Sequence, residues 1–145
     1  MNTPPHTIGF YEGQFYMLSN FSAHEVEYKG VVYKTSEHAY QVAKFIDEEI
    51  RVQIVEAPSA YLAREYGQQK EGRVENFDKV LEMKNIMRAK LEQHEDVRQA
   101  LLKTGNAIIE KNHPLDAYWG TAPDGSGKNV MGNIWMELRD ELKAL

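Results

Sequence analysis

The spacing of apolar residues along this chain predicts helices over most of its length. The clearest helical stripe lies near the carboxyl end, where Met131, Ile134, Trp135, Leu138 and Leu142 recur every three or four residues. Helix-capping residues, glycines and prolines divide the remainder into short segments. Helices are therefore expected over residues 36–45, 47–56, 59–66, 76–92, 95–103 and 129–142.

Three other stretches have the β-branched and aromatic content of strands. Residues 25–34 are expected to form a hairpin that turns at Lys29-Gly30. Residues 8–11 and 107–110 are expected to be strands. A mostly helical chain with a small antiparallel sheet belongs to the α+β class. The length of 145 residues fits a single domain over residues 1–145.

The composition excludes several classes of protein. Hydrophobic residues make up 42% and charged residues 27%, which is typical of a soluble globular chain. No run approaches the roughly 18 apolar residues of a membrane span, and no signal peptide is visible, so we expect a cytoplasmic protein without a membrane partner. Cysteine is absent and the five histidines lack metal-ligand spacing, so neither a metal nor a cofactor is expected. The net charge of −5 argues against a coat for long nucleic acid, but allows recognition of a nucleotide or of a single modified base.

The first predicted helix carries the most informative polar side chains. Thr35 and Ser36 are both good helix N-caps, and Glu37, Gln41 and Lys44 follow on one stripe of the helix surface. Glu37 lies in the first turn, where the helix dipole favours a carboxylate. A carboxylate that moves protons beside an amine that acts as nucleophile or clamp is typical of a site for carbohydrate or nucleotide chemistry. For either residue alone, an exposed polar helix face is the alternative.

A glycine-rich loop over residues 118–129, within the longer loop of residues 112–128, is the second candidate. Gly120 and Gly127 would let main-chain N–H groups approach an anion, and the loop runs into a helix that starts at Asn129. Lys128 adds a positive charge. The spacing fits neither a P-loop nor a dinucleotide fingerprint, so an ordinary surface loop with an Asn N-cap is the alternative.

Several single residues near these segments are further candidates. Trp119 could stack on a base or belong to the core, and Asp116 could orient a ribose hydroxyl or a water molecule, or serve a turn. Ser19, Asn20 and Phe21 could supply polar contacts and an aromatic wall, or form an ordinary turn.

These segments, taken in order, resemble the NADAR domain family, which is also called the YbiA-like N-glycosidases. The matching stretches span nearly the whole chain: Phe10-Tyr11, residues 18–21, residues 35–45, Lys90, residues 101–105, residues 116–120, residues 127–129, Gly132 and residues 136–139. The resemblance implies hydrolysis of an N-glycosidic bond to ribose. Its key acid, lysine and aspartate fall on Glu37, Lys44 and Asp116, which are the expected catalytic residues. The family often carries a tryptophan where this chain has Phe77.

The resemblance also implies two kinds of substrate. One is ADP-ribose attached to guanine in nucleic acid, where the enzyme would be paired with an ADP-ribosyltransferase toxin, and the other is a phosphorylated ribosylaminopyrimidine of riboflavin synthesis. The glycine loop and Lys128 would hold phosphate. A non-catalytic module that binds ADP-ribose or a nucleotide is the alternative, followed by a protein-interaction domain. The expected substrate-binding residues are Ser19, Asn20, Phe21, Tyr40, Gln41, Phe77, Trp119, Gly120, Gly127, Lys128 and Asn129.

Overall fold

Helices dominate the computed structural model, which describes residues 6–145. The helices are α1 (Ser36–Ala43), α2 (Glu48–Glu56), α3 (Ala60–Tyr66), α4 (Lys79–Gln93), α5 (Glu95–Lys103) and α6 (Val130–Lys143), with a 3-10 helix at Gly13–Leu18. The strands are β1 (Thr7–Gly9), β2 (Val26–Tyr28), β3 (Val31–Tyr33) and β4 (Ile108–Glu110). This architecture confirms the predicted α+β class. Within residues 6–145, no helix combines the length and the apolar character needed to cross a membrane.

The chain divides into two compact units. Asn20–His94 forms one of them and contains the hairpin and helices α1 to α4. The segment that ends at Ser19 forms the other together with Glu95–Leu145, and this unit contains β1, β4, the 3-10 helix, α5 and α6. The predicted single domain also includes residues 1–5, which lie outside the described residues.

Helix α1 lies at the centre of the Asn20–His94 unit, where it packs against α2, α3 and α4. The hairpin of β2 and β3 is antiparallel as predicted, with Val26 opposite Tyr33. Lys29 and Gly30 form its turn with φ values of 51° and 83°. Two consecutive left-handed residues give a turn whose twist matches that of the strands. The core of this unit includes Phe45, Ile54, Ala63, Ile86 and Met87.

In the other unit, α6 packs on a pair of parallel strands. β1 pairs with β4, with Thr7 opposite Ile108, and this pairing was not predicted. The apolar stripe of α6 is buried except at Leu142, which is partly exposed. The indole N–H of Trp135 donates to the carbonyl oxygen of Leu18 at 2.9 Å. A side chain at Gly132 would overlap the carbonyl oxygen of Ile109, so this glycine permits the close approach of α6 to β4.

The structure differs from the predictions mainly at element boundaries. α4 begins at Lys79 rather than at residue 76, because Asp78 caps it by accepting from the N–H of Leu81, and Asn76 has a left-handed φ of 53°. The first strand covers Thr7–Gly9 rather than residues 8–11. The 3-10 helix at Gly13–Leu18 was not predicted. Phe77 therefore lies outside the helix, in the segment that leads into it.

Candidate active site

The amino-terminal turn of α1 holds an acid in a buried position. Thr35 is the N-cap, and its hydroxyl oxygen accepts from the main-chain N–H of His38 at 3.2 Å. The N–H of Glu37 donates to the carbonyl oxygen of Asn20 at 3.1 Å, so the loop before the hairpin is tied to this turn. Glu37 is only 7% exposed. A carboxylate so little exposed needs a polar partner.

That partner is Gln41, one turn further along the helix. Its side-chain N–H donates to Oε1 of Glu37 at 2.7 Å. The amide of Gln41 is itself held by close packing against Gly67, where any side chain would overlap the Gln41 amide oxygen. The orientation of the Glu37 carboxylate is therefore set by α1 and by the end of α3 together.

Lys44 directly follows α1, where it is half-buried. Its ammonium group lies 5.5 Å from the ring centroid of Tyr40 and 3.4 Å from the carbonyl oxygen of Gly67. Burial, followed by the charge of Arg73, lowers the pKa of Lys44 to about 8, although the charge of Glu37 opposes the shift. A substantial fraction of this amine is therefore uncharged near neutral to mildly alkaline pH, which is the form that can attack carbon.

Three buried oxygen atoms near this acid have no hydrogen-bond partner among the described residues. They are Oδ1 of Asn20, Oγ of Ser36 and Oε1 of Gln41. Buried polar atoms in native proteins are nearly always paired, so these oxygens are positions that a water molecule or a polar ligand can pair with. The hydroxyl groups of a sugar can donate to such oxygens.

Aromatic side chains border this site. The rings of Tyr40 and Phe77 are tilted against each other with centroids 6.0 Å apart. Phe21 is partly buried in the loop before the hairpin. Within the Asn20–His94 unit, the structure thus brings together most of the predicted site residues of that unit: Asn20, Glu37, Tyr40, Gln41, Lys44 and Phe77.

Asp116 lies in the other unit and is fully engaged in its own loop. One carboxylate oxygen accepts from the ammonium group of Lys111 at 2.7 Å, and the other accepts from the N–H groups of Tyr118 at 3.2 Å and Trp119 at 2.9 Å. Burial alone would raise the pKa of Asp116, but the hydrogen bond and the charge of Lys111, helped by the two N–H groups, lower it. Asp116 is thus an ionised anchor for the loop that carries Trp119.

The glycine-rich loop is held by main-chain hydrogen bonds to itself. The N–H groups of residues 127–131 donate to the carbonyl oxygens of Thr121, Ala117, Gly120, Tyr118 and Trp119. A side chain at Gly127 would overlap Gly120 and Thr121, and one at Gly120 would overlap Lys111 and Asp116. An anion at this loop would therefore be bound by side chains, among which Lys128 is exposed with its ammonium group 5.6 Å from the Tyr118 ring centroid.

Asn129 connects this loop to β4 instead of capping α6. Its side-chain N–H donates to the carbonyl oxygen of Ile109 at 2.9 Å, and its side-chain oxygen accepts from the N–H of Lys111 at 3.0 Å. No side-chain cap bond starts α6, and Asn129 has a left-handed φ of 52°. Ser19 belongs to the same unit and follows the 3-10 helix.

Sequence reasoning did not assign two groups that contact or surround Lys44. The carbonyl oxygen of Gly67 accepts from Lys44 and also from the guanidinium group of Arg73 at 3.1 Å. From the sequence, Gly67 is expected to end a helix, and the basic residues of this stretch, Arg73 among them, are expected on a solvated face or, for some of them, against phosphates. Gly67 has an ordinary helical φ of −72°, so the requirement for glycine is steric and has no local sequence signal.

This chain belongs to the NADAR domain family, whose model matches residues 9–143. It is 39% identical over 128 residues to the N-glycosidase YbiA of Escherichia coli, which covers 86% of this chain and 80% of that protein. It is 30% identical over 148 residues to an N-glycosidase of Nostoc punctiforme, with 96% and 94% of the two chains covered.

Two further comparisons extend this result. The solved structure of YbiA from Escherichia coli matches with a TM-score of 0.87 and 34% identity over 99% of this chain and 88% of that one. A riboflavin biosynthesis protein of Vibrio vulnificus is 34% identical over 131 residues, which cover 87% of this chain but 35% of that protein. The match to YbiA therefore extends to the fold as well as to the sequence.

Proposed function

We propose that this chain is a hydrolase that cleaves the N-glycosidic bond between a ribose and a nitrogen heterocycle. The observation that carries the proposal is the geometry of α1. A buried carboxylate, Glu37, is oriented by Gln41, and the amine of Lys44 with its lowered pKa follows at the end of the same helix. The N-glycosidase names of the relatives support the same reaction class.

The reaction follows from the chemistry of these two groups. Cleavage builds positive charge at the anomeric carbon, which the carboxylate of Glu37 stabilises. The ribose ring opens as the bond from C1 to the ring oxygen breaks, which leaves a hydroxyl group and a C=N bond from C1 to the substrate nitrogen. The neutral amine of Lys44 adds to C1, Glu37 carries protons from the lysine nitrogen to the substrate nitrogen, and the bond from C1 to that nitrogen breaks to leave a Schiff base on Lys44. Water then adds to the resulting Schiff base, which releases the sugar aldehyde and regenerates the amine. The sum is one heterocycle and one free ribose for each water consumed.

The unpaired oxygens of Asn20 and Gln41 would accept from ribose hydroxyl groups, and Tyr40 or Phe77 would stack on the heterocycle. Asp116 would act on a hydroxyl group or a water molecule only through an oxygen that already accepts from Lys111 or from main-chain N–H groups. Trp119 would offer a second stacking surface.

Two substrates fit this reaction: ADP-ribose attached to guanine in nucleic acid, and a phosphorylated ribosylaminopyrimidine. With the first substrate, the protein would act in the cytoplasm and reverse the modification made by an ADP-ribosyltransferase toxin. The second is favoured by the relative that is named for riboflavin biosynthesis. Both contain a ribose joined to an aromatic heterocycle and a phosphate on the same sugar.

The test is a turnover assay with both substrates, comparing the unaltered chain with Glu37→Gln. We expect release of the heterocycle by the unaltered chain and a large loss of rate in Glu37→Gln. Borohydride added during turnover should attach the sugar to Lys44. Binding of ADP-ribose with no cleavage of either substrate would instead identify a nucleotide-binding module. Turnover without a trapped adduct would remove the Schiff base from the mechanism.

A further inference from the structure

Two arginines lie beside Lys44 without a carboxylate partner among the described residues. Arg73 is held in place by its Nε, which donates to the carbonyl oxygen of Gln69 at 2.7 Å, and by Nη2, which donates to the carbonyl oxygen of Gly67. Its guanidinium carbon also lies 5.4 Å from the ring centroid of Phe45. These contacts fix the direction of the guanidinium group and leave Nη1 available for a ligand.

The position of Arg73 relative to Lys44 follows from the oxygen that they share. Lys44 Nζ is 3.4 Å and Arg73 Nη2 is 3.1 Å from the carbonyl oxygen of Gly67, so the two nitrogen atoms are at most 6.5 Å apart. The anomeric carbon and the 5′ phosphate of a ribose are separated by one sugar ring and one methylene group. A single ribose phosphate can therefore reach both positions.

Arg64 adds a second guanidinium group. It lies in the last turn of α3, three residues before Gly67, and its side chain is exposed with no hydrogen bond or ion pair to the described residues. The charges of Arg73, Arg64 and Lys79 lower the pKa of Lys44, and the charge of Glu37 raises it. Three cations thus act on this amine, although the whole chain carries a net charge of −5.

We propose that Arg64 and Arg73 bind the 5′ phosphate of the ribose whose glycosidic bond is cleaved. The planar fork of an arginine matches the oxygens of a phosphate, and charge-assisted bonds of this kind are about twice as strong as neutral ones. The main-chain N–H groups of residues 127–131, where the glycine-rich loop enters α6, donate to protein carbonyls, so they are not available for this role. This inference rests on the proposed function, because it names the residues of the same site that hold the phosphate group of the substrate.

The experiment is a calorimetric titration with methyl ribofuranoside 5-phosphate and with methyl ribofuranoside. The methyl glycoside cannot open to an aldehyde, so a Schiff base with Lys44 does not contribute to the measured affinity. We expect the phosphate to strengthen binding to the unaltered chain about 10- to 100-fold. The double variant Arg64→Gln, Arg73→Gln should lose this preference.

Three further variants sharpen the result. Lys103→Gln makes the same charge change as each single substitution on an exposed turn of α5, and it should keep the full phosphate preference. Lys128→Gln tests the glycine-rich loop as the competing phosphate site. Arg64→Gln alone changes an exposed side chain that has no hydrogen bond or ion pair to the described residues, so its loss of phosphate preference can be measured even if the double variant does not fold.

The inference is overturned if the unaltered chain binds both glycosides equally, if the double variant keeps the preference, or if only Lys128→Gln removes it. Failure of the glycosidase proposal is a separate result, because the titration requires no turnover. If the chain prefers the phosphorylated glycoside but cleaves no substrate, the phosphate site is supported and the proposed reaction is contradicted. If the chain cleaves ribosides with and without the phosphate at equal rates, the reaction is supported and the phosphate site is contradicted.

Discussion

The polar groups around Glu37 and those around Asp116 are satisfied to very different degrees. Around Glu37, buried oxygens of Asn20, Ser36 and Gln41 have no hydrogen-bond partner among the described residues. Around Asp116, both carboxylate oxygens accept hydrogen bonds, one from Lys111 and the other from the N–H groups of Tyr118 and Trp119. Buried polar atoms without partners cost folding free energy. The first region therefore leaves polar atoms that water or a ligand can pair with, whereas the polar atoms of the Asp116 carboxylate are paired within the protein.

The largest effect that this comparison predicts concerns two lysines, one from each region. Lys44→Ala should lower kcat/KM by about 10³-fold or more, because the nucleophile is lost. The free energy of unfolding should change by less than about 1 kcal/mol, since Lys44 has no ion pair with the described residues. Turnover assays and urea unfolding measure the two quantities.

Lys111→Ala is the matched substitution in the second region. It removes the ion-pair partner of Asp116, so it should lower stability more than Lys44→Ala does. If Lys111→Ala left stability unchanged and Lys44→Ala destabilised the chain, the contrast between the two regions would be reversed.

The second prediction concerns Gly67, whose missing side chain makes room for the amide of Gln41. Gly67→Ala should displace this amide, break its hydrogen bond to Glu37 and lower kcat about 100-fold, because small displacements of a catalytic group have large effects on rate. Gln41→Ala should have a similar effect. The double variant should be no worse than Gln41→Ala alone, since both substitutions act through one contact. Additive losses would show that Gly67 acts in another way.

The third prediction concerns Asp116. Asp116→Asn weakens one ion pair and two hydrogen bonds to a charged oxygen, so it should lower the free energy of unfolding by about 1–3 kcal/mol. Because the pKa of Asp116 is lowered from its ordinary value of 3.8, its contribution is fully present above that pH and is lost as the pH falls below it. The variant should therefore show a flatter loss of stability in acid. An unchanged urea midpoint with lost activity would mean that Asp116 acts on the substrate directly.

The smallest expected effect is a shift in the pH dependence of turnover. With the pKa of Lys44 near 8, kcat should rise as the pH increases through about 8 and then level off, because the uncharged amine reacts. Arg73→Gln removes a cation that disfavours the ammonium form, so the pKa of Lys44 should increase and the rise should move to higher pH. Lys103→Gln serves as the control and should leave the profile in place. The same profile in Arg73→Gln would show that this charge does not act on Lys44.

The elements of the fold were predictable where the signal is local. Glycine at Gly30 and Gly67, proline at Pro58 and capping residues such as Thr35 punctuate the chain, and the helix stripes between them are strong. The pairing of β1 with β4 was missed because a parallel pair between distant segments leaves no trace in either strand. The 3-10 helix was missed because its short length gives no periodicity.

The candidate site was predictable only in part for a similar reason. Glu37, Gln41 and Lys44 lie within eight residues, so helical geometry relates them directly. The groups that orient them come from α3 and from the chain beyond it, as with Gly67 and Arg73, and a single sequence does not relate residues across such gaps. The main-chain bonds of the glycine-rich loop were likewise invisible, because loop composition does not say which carbonyl receives each N–H group.

The parallel pair of β1 and β4 has a consequence for the order in which the chain folds. Thr7 pairs with Ile108, which follows it about a hundred residues later in the chain. Asn20–His94, in contrast, is one continuous segment with its own core. Contacts between distant residues form slowly because a long loop must close first. On the ribosome, the segment that contains Glu37 and Lys44 can thus fold before β4 has been synthesised to pair with β1.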